Sequence, residues 1–173
     1  MSKVTEVCLG LDPSTKLLGW CFVGYHSGDV LWNGVTGICE PSGGWRSNQI
    51  HKVVGGLKQS LANQDDDYAV RCIGIERMYV GPSKKVSMEL SYVAGQVHQE
   101  VSGVFPEAEI LRFLPPEWRE ECGMPKTTSK AALWSRASEF GLSTTEQDAI
   151  DAGFIAFAAR SRHRKIPAAP PSR

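Results

Sequence analysis

Apolar residues gather in short runs along the first part of the chain. Residues 4–11 (VTEVCLGL) and 17–24 (LLGWCFVG) are dense in Val, Leu, Cys and Phe. The Asp-Pro-Ser-Thr stretch between them predicts a turn, so the two runs read as a strand hairpin. A third strand is expected at 29–37 (DVLWNGVTG), followed by a loop in the Pro- and Gly-rich CEPSGGWRS. The spacing of apolar residues then becomes helical. Ile50, Val53, Val54, Leu57 and Leu61 recur at helical spacing, with Ser47 placed to cap the helix.

Residues 69–75 (AVRCIGI) predict a buried strand, 77–85 a loop, 86–104 a long helix with the small pair Ala94-Gly95 midway, and 108–114 (AEILRFL) another strand. Three helices are expected to close the chain. PPEWREEC opens with prolines suited to a first turn. SKAALWSRASEFG ends at Gly141. STTEQDAIDAGFIAFAARSRH offers Ser/Thr caps at its start. Three consecutive strands followed by helix–strand alternation predict an α/β fold, a mixed five-stranded sheet with helices on both faces. One domain is expected over 1–165, with a disordered tail at 166–173.

Bulk properties narrow the class. The 173 residues are 42% apolar and 22% charged, as in an ordinary globular protein. No apolar run reaches the roughly 20 residues of a membrane helix, and MSKVTEV lacks a secretory pattern, which predicts a cytoplasmic protein with no membrane partner. The five cysteines are odd in number and sit mostly in apolar runs, so small buried hydrophobes are expected rather than a disulfide framework or a zinc site. The histidines His26, His51, His98 and His163 are isolated and read as surface residues. Net charge is zero, but residues 112–173 hold ten Lys/Arg against seven Asp/Glu. Arg160, Arg162, His163, Arg164 and Lys165 supply most of that excess, either as a favourable arrangement at a helix C-terminus or as a phosphate contact.

Two acids end buried runs. Asp12 follows the apolar run that ends at Leu11, and Glu76 follows CIGI. In neighbouring strands both carboxylates emerge at one sheet edge, where ligands of open sheets bind. Asp148 and Asp151 lie three apart on one face of the last predicted helix, and Asp151 shares the angular position of Ile155 and Ala158. Carboxylates gathered without equal Lys or Arg raise one another's pKa, and a divalent cation removes the conflict. Magnesium accepts oxygen ligands, and two such ions about 4 Å apart serve phosphodiester cleavage. The chain has no His–Cys cluster for zinc, no G-x-S-x-G nucleophile elbow and no Walker loop.

GLDPSTKLLGW, IGIERMYVGPSKKVSMELSYVAGQV and EQDAIDAGFIAF, in this order of elements, resemble RuvC-type Holliday junction resolvases of the ribonuclease H-like superfamily. The resemblance spans roughly residues 4–163. It implies a Mg2+-dependent endonuclease, with two ions per site and Mn2+ as a substitute, cutting four-way DNA junctions in recombination and repair. Asp12, Glu76, Asp148 and Asp151 match the family's metal ligands. Tyr79 matches an aromatic at the junction's crossing point. Lys130 matches a lysine at the scissile phosphate, with Arg119 and Lys126 as alternates. A homodimer is implied too, since a two-fold symmetric junction needs paired sites; Met88, Tyr92 and Val93 of the long helix are candidates for its interface or for the core. Because the chain is neutral overall, the DNA groove is expected to be local, built from Lys84, Lys85, Lys130 and the Arg160–Lys165 cluster.

Two other readings share these residues. A ribonuclease H-like nuclease acting on RNA–DNA hybrids or branched DNA would use the same acids. The hairpin also resembles the phosphate-binding hairpin of actin-like and sugar-kinase ATPases, but those folds need two lobes and a second Asp-x-Gly hairpin, and 173 residues provide neither.

Overall fold

The computed structural model describes residues 4–38, 46–64, 66–77 and 83–166. In chain order the elements are β1 (Thr5–Pro13), β2 (Leu17–Gly24), β3 (Val30–Gly37), α1 (Arg46–Ala62), β4 (Tyr68–Glu76), α2 (Lys84–Val104), β5 (Glu109–Phe113), α3 (Pro115–Glu121), α4 (Lys130–Ala137), and α5 (Gln147–Lys165). The sheet order is β3-β2-β1-β4-β5. The β1–β2 and β2–β3 pairs are antiparallel, whereas β1–β4 and β4–β5 are parallel. The predicted mixed five-stranded sheet is therefore the one observed.

Strand alternation splits the core into two layers. Val7, Leu9, Leu11, Ile73 and Ile75 face α1 and α2, where Ile50, Val54, Leu57, Val93, Val97 and Val101 complete one apolar cluster. All five apolar positions expected of α1 are buried. The opposite face presents Cys8, Cys21, Val23 and Cys72 to α5, with Trp118 of α3 and Leu133 of α4 closing the layer. Cys8, Cys21 and Cys72 are free, fully buried small side chains, as expected; Cys39 lies outside the described residues. His26 and His51 are exposed, but His163 is half-buried and bonded to the Tyr25 hydroxyl at 2.9 Å, so it is not the surface residue expected. No helix among the described residues is long and apolar enough to cross a membrane.

Four local differences from the predicted elements are seen. Strand β1 runs through Asp12 to Pro13, and the turn starts only at Ser14, whose Oγ accepts from the Leu17 N–H at 2.9 Å. The helix expected from Ser129 to Gly141 tightens after Ala137 into a 3-10 turn, Ser138–Phe140, and Gly141 closes it at φ +74°. Helix α5 begins at Gln147 rather than Ser143, because Leu142 is buried and Thr144 Oγ1 accepts from the Glu146 N–H at 3.2 Å, holding the entry out of helix. Similarly, Ser47 is not the α1 cap, since the helix already starts at Arg46.

Candidate active site

Two strands and one helix deliver the four acids. Parallel strands β1 and β4 pair Gly10 with Gly74 and Leu11 with Ile75. Asp12 and Glu76 follow one residue later on each strand, so they emerge side by side at one sheet edge. Alternation puts both on the face covered by α5, the same face as Gly10 and Gly74.

Helix α5 lies unusually close to that face because glycines leave room for it. A β-carbon on Gly19 would stand 2.1 Å from the Asp148 carbonyl oxygen. One on Gly10 would stand 2.0 Å from the Ala152 oxygen, and one on Gly74 2.8 Å from the Ile155 oxygen. The helix backbone thus crosses β2, β1 and β4 in turn over three positions without side chains. Gly19 pairs with Asp12 in the hairpin ladder, so the contact sets the first turn of α5 beside Asp12. Asp151 follows one turn on, toward Glu76.

The charges show that these groups share one environment. The Asp12 carboxyl is raised well above its ordinary range by burial, then by Glu76, Asp151 and Asp148; Lys130 opposes them. Burial also lifts Glu76 to about 7, against a hydrogen bond from Trp118. Asp151 is lifted to about 6, again mainly by burial, against a hydrogen bond from Gln147. Lys130, in the first turn of α4 behind the Ser129 cap, is the cation that Asp12, Glu76 and Asp151 have in common. Arg119 acts on Glu76 and Asp151. None of the four acids has an ion-pair partner among the described residues.

Two of the acids are oriented by neutral donors. Trp118 Nε1 donates to Glu76 Oε2 at 2.8 Å, and the buried indole is stacked on Phe154 at 6.1 Å between centroids. Gln147 Nε2 donates to Asp151 Oδ1 at 2.7 Å, while Trp134 Nε1 donates to Gln147 Oε1. Trp118, Gln147, Gly10, Gly19 and Gly74 were not anticipated from sequence. A Gly inside a strand signals close backbone approach in general but does not name what approaches.

The donor set suits a hard divalent cation: four carboxylates, oxygen only, faced by one lysine. Among the described residues no three acids are already gathered at ligand spacing. Glu76 and Asp151 are each held by one oxygen, on Trp118 and Gln147 respectively.

Other predicted residues fall elsewhere. Lys84 and Lys85 are exposed in the first turn of α2. Lys126 pairs with Glu120 at 3.2 Å, and its carbonyl accepts from Arg119 at 3.2 Å. The Arg160–Lys165 cluster lies toward the other end of α5, with Arg160 about 18 Å along the helix from Asp148. Arg160 donates to the Tyr25 and His26 carbonyls at 2.7 and 2.8 Å. Arg162 and Lys165 pair with Glu121 at 3.2 and 2.8 Å, and Arg164 is exposed. The structure does not bring this cluster to the acids. Tyr79 lies outside the described residues.

No family model and no curated protein matches the chain by sequence. Solved structures do match it. RuvC of T. thermophilus in complex with Holliday junction substrate superposes with a TM-score of 0.71 at 15% identity, covering 92% of this chain and 95% of that one. A second Thermus thermophilus RuvC structure gives 0.71 at 16% identity, covering 91% and 95%. The yeast mitochondrial Holliday junction resolvase Ydc2 gives 0.53 at 14% identity, covering 94% and 83%. The mixed five-stranded sheet and its flanking helices match the fold of these RuvC structures.

Proposed function

We propose that the chain is a Mg2+-dependent endonuclease that resolves four-way DNA junctions by symmetric phosphodiester hydrolysis, acting as a homodimer in recombination and repair. The observation that supports this reading best is that Glu76, Asp148 and Asp151 all lie close enough to Asp12 to raise its pKa, in a chain whose fold matches RuvC, with Lys130 opposing them and no ion-pair partner for any of the four among the described residues. These four carboxylates are the residues to hold a pair of Mg2+ ions, with Mn2+ as a substitute. When bound, the ions supply an activated water and a counter-charge for the leaving oxygen.

The chain's own contribution is placement. Strands β1 and β4 fix the backbones of Asp12 and Glu76, and the glycine-lined face fixes α5 relative to both. Trp118 and Gln147 hold one oxygen each of Glu76 and Asp151, which sets their rotamers before substrate arrives. Lys130 is placed to meet a phosphate oxygen and stabilise the charge that develops on it. For the dimer, Met88 and Tyr92 of α2 are 73% and 50% exposed, whereas Val93 is fully buried in the core. The two exposed side chains are therefore the interface candidates.

One experiment tests the assignment: incubation with Mg2+ and, separately, a mobile four-way junction, a linear duplex and an RNA–DNA hybrid. Paired nicks in opposed strands of the junction are expected, with Asp12→Asn binding but not cutting. Preferential cleavage of the hybrid moves the assignment to a ribonuclease H-like enzyme of different substrate.

A further inference from the structure

The opposite face of the catalytic edge carries a second feature that the acid site does not use. On the α2 side, β4 presents Ile73, Ile75 and then Arg77, and β5 presents Ile110 and then Arg112. The apolar row that packs under α2 thus ends in an arginine on both strands, at the edge where Glu76 sits. The Arg77 backbone is fixed there, its N–H donating to the Phe113 carbonyl at 2.6 Å.

A cleft of about 200 Å³ lies over these two arginines, walled by Ser91, Ala94 and Gly95 of α2 and bordered by Glu76. The void exists because α2 places small residues at i, i+3 and i+4. At Gly95 a β-carbon would meet nothing within 4 Å, so packing does not require glycine there. Neither guanidinium has an ion-pair partner among the described residues. Two unpaired arginines on neighbouring strands repel one another, and an anion between them removes the cost. Arginine's planar fork matches phosphate oxygens bidentately.

We infer that this cleft seats a backbone phosphate of a nucleic-acid strand passing the catalytic edge, gripped by Arg77 and Arg112 with the Ser91 hydroxyl as a further donor. The inference rests on the nuclease reading above. It adds a contact on the sheet face opposite Lys130 and Arg119, so that the strand is held from both sides of Glu76. It also supplies positive charge that the neutral composition does not reveal and that the Arg160–Lys165 cluster, tied to Glu121 and to backbone carbonyls, does not bring to the edge.

The test is equilibrium binding of a fluorescent four-way junction and of a single-stranded oligonucleotide over a salt series, with Ca2+ replacing Mg2+. Wild type is compared with Arg77→Gln, Arg112→Gln and the double variant. The double variant is expected to lose ~10-fold in affinity, and its plot of log K against log salt to be shallower by about 0.7–0.9, the contribution of one phosphate contact. Arg77→Lys with Arg112→Lys should recover most of that slope, and melting temperatures should stay at the wild-type value because both side chains are exposed. Wild-type affinity and slope in the double variant on both ligands overturn the inference while leaving the nuclease reading intact. Loss of junction preference in wild type itself counts against the junction reading, and the single-strand titrations then still decide the arginine cleft.

Discussion

Gly19 and Asp148 are in backbone contact: a β-carbon at position 19 would sit 2.1 Å from the Asp148 carbonyl oxygen and 3.0 Å from its β-carbon. The contact joins the hairpin that carries Asp12 to the helix that carries two more acids. Neither partner has a flexible side chain there that can swing aside, since the clash is with helix backbone.

Gly19→Ala is therefore expected to push the first turn of α5 off the sheet. Overpacking of this kind costs about 1–3 kcal/mol, and displacement of Asp148 should also abolish cleavage in protein that remains folded. The contrasting change is Gly56→Ala on the exposed side of α1, where a β-carbon meets nothing within 4 Å. It should stabilise by roughly 0.5–1 kcal/mol through helix propensity. Thermal melts of the two variants, with cleavage measured below each transition, check both statements. Equal effects at the two positions would remove the special role of the Gly19 contact.

The acid cluster gives a pH dependence whose sign is set by the raised pKa values. Glu76 rises from 4.5 to about 7 and Asp151 from 3.8 to about 6. Both bind protons more tightly in the folded chain than in the unfolded one. Folding is then most favoured below pH 4, where both are protonated in either state. Their contribution declines as pH rises through the window up to about 7, and levels off above it. Melting temperatures of metal-free wild type minus Glu76→Gln should follow this decline between pH 4 and pH 8. Added Mg2+ should raise the wild-type transition more at pH 8 than at pH 5, because ligands must be deprotonated to bind. A Mg2+ effect independent of pH would contradict cation binding by these carboxylates.

The acids were legible in sequence for a simple reason. A carboxylate that ends an apolar run, as Asp12 and Glu76 do, conflicts with burial, and the conflict shows without coordinates. The sheet was legible too, because its strands are short apolar runs bounded by turn residues. Orientation was not. Trp118 reads as one more apolar position of a short helix, and only the fold shows its indole N–H aimed at Glu76, 42 residues earlier. The partners of the basic cluster were not legible for a related reason. Charge density along α5 is visible in the chain, but the Glu121 that occupies Arg162 and Lys165 is about 40 residues away. The glycines of the α5 contact looked like ordinary strand interruptions, since their reason lies in a helix that arrives more than 70 residues later.

Trp118→Phe isolates the orienting bond from packing. Phenylalanine keeps an aromatic ring against Phe154 but removes the N–H, so Glu76 Oε2 loses its donor. The bond lowers the Glu76 pKa, so its removal should move the carboxyl further up and shift the alkaline rise of the cleavage rate to higher pH. Loss of a group that orients a metal ligand typically costs ~10–100-fold in activity or metal affinity. Melting temperature and pH–rate profile together separate this from a packing defect. An unchanged profile with a lowered melting temperature would make Trp118 a core residue only.

Arg160 and Lys130 offer the sharpest division between a stabilising cation and a working one. Arg160 is consumed by the Tyr25 and His26 carbonyls and packs against Gly28, where a β-carbon would come within 3.3 Å of its guanidinium. Arg160→Ala should therefore cost about 1–3 kcal/mol by leaving the half-buried Tyr25 carbonyl without its charged donor. Junction affinity and its salt slope should be retained in the folded variant. Lys130 has no ion-pair or hydrogen-bond partner of its own among the described residues, yet it is the charge that Asp12, Glu76 and Asp151 all feel. Lys130→Ala should leave the melting temperature nearly unchanged, because no bond is broken, while lowering the cleavage rate by orders of magnitude. Lys130→Arg should restore part of that rate. If Arg160→Ala instead flattened the salt dependence of junction binding at an unaltered melting temperature, the far end of α5 would belong to the DNA surface after all. The two residues would then have exchanged the roles that their contacts indicate.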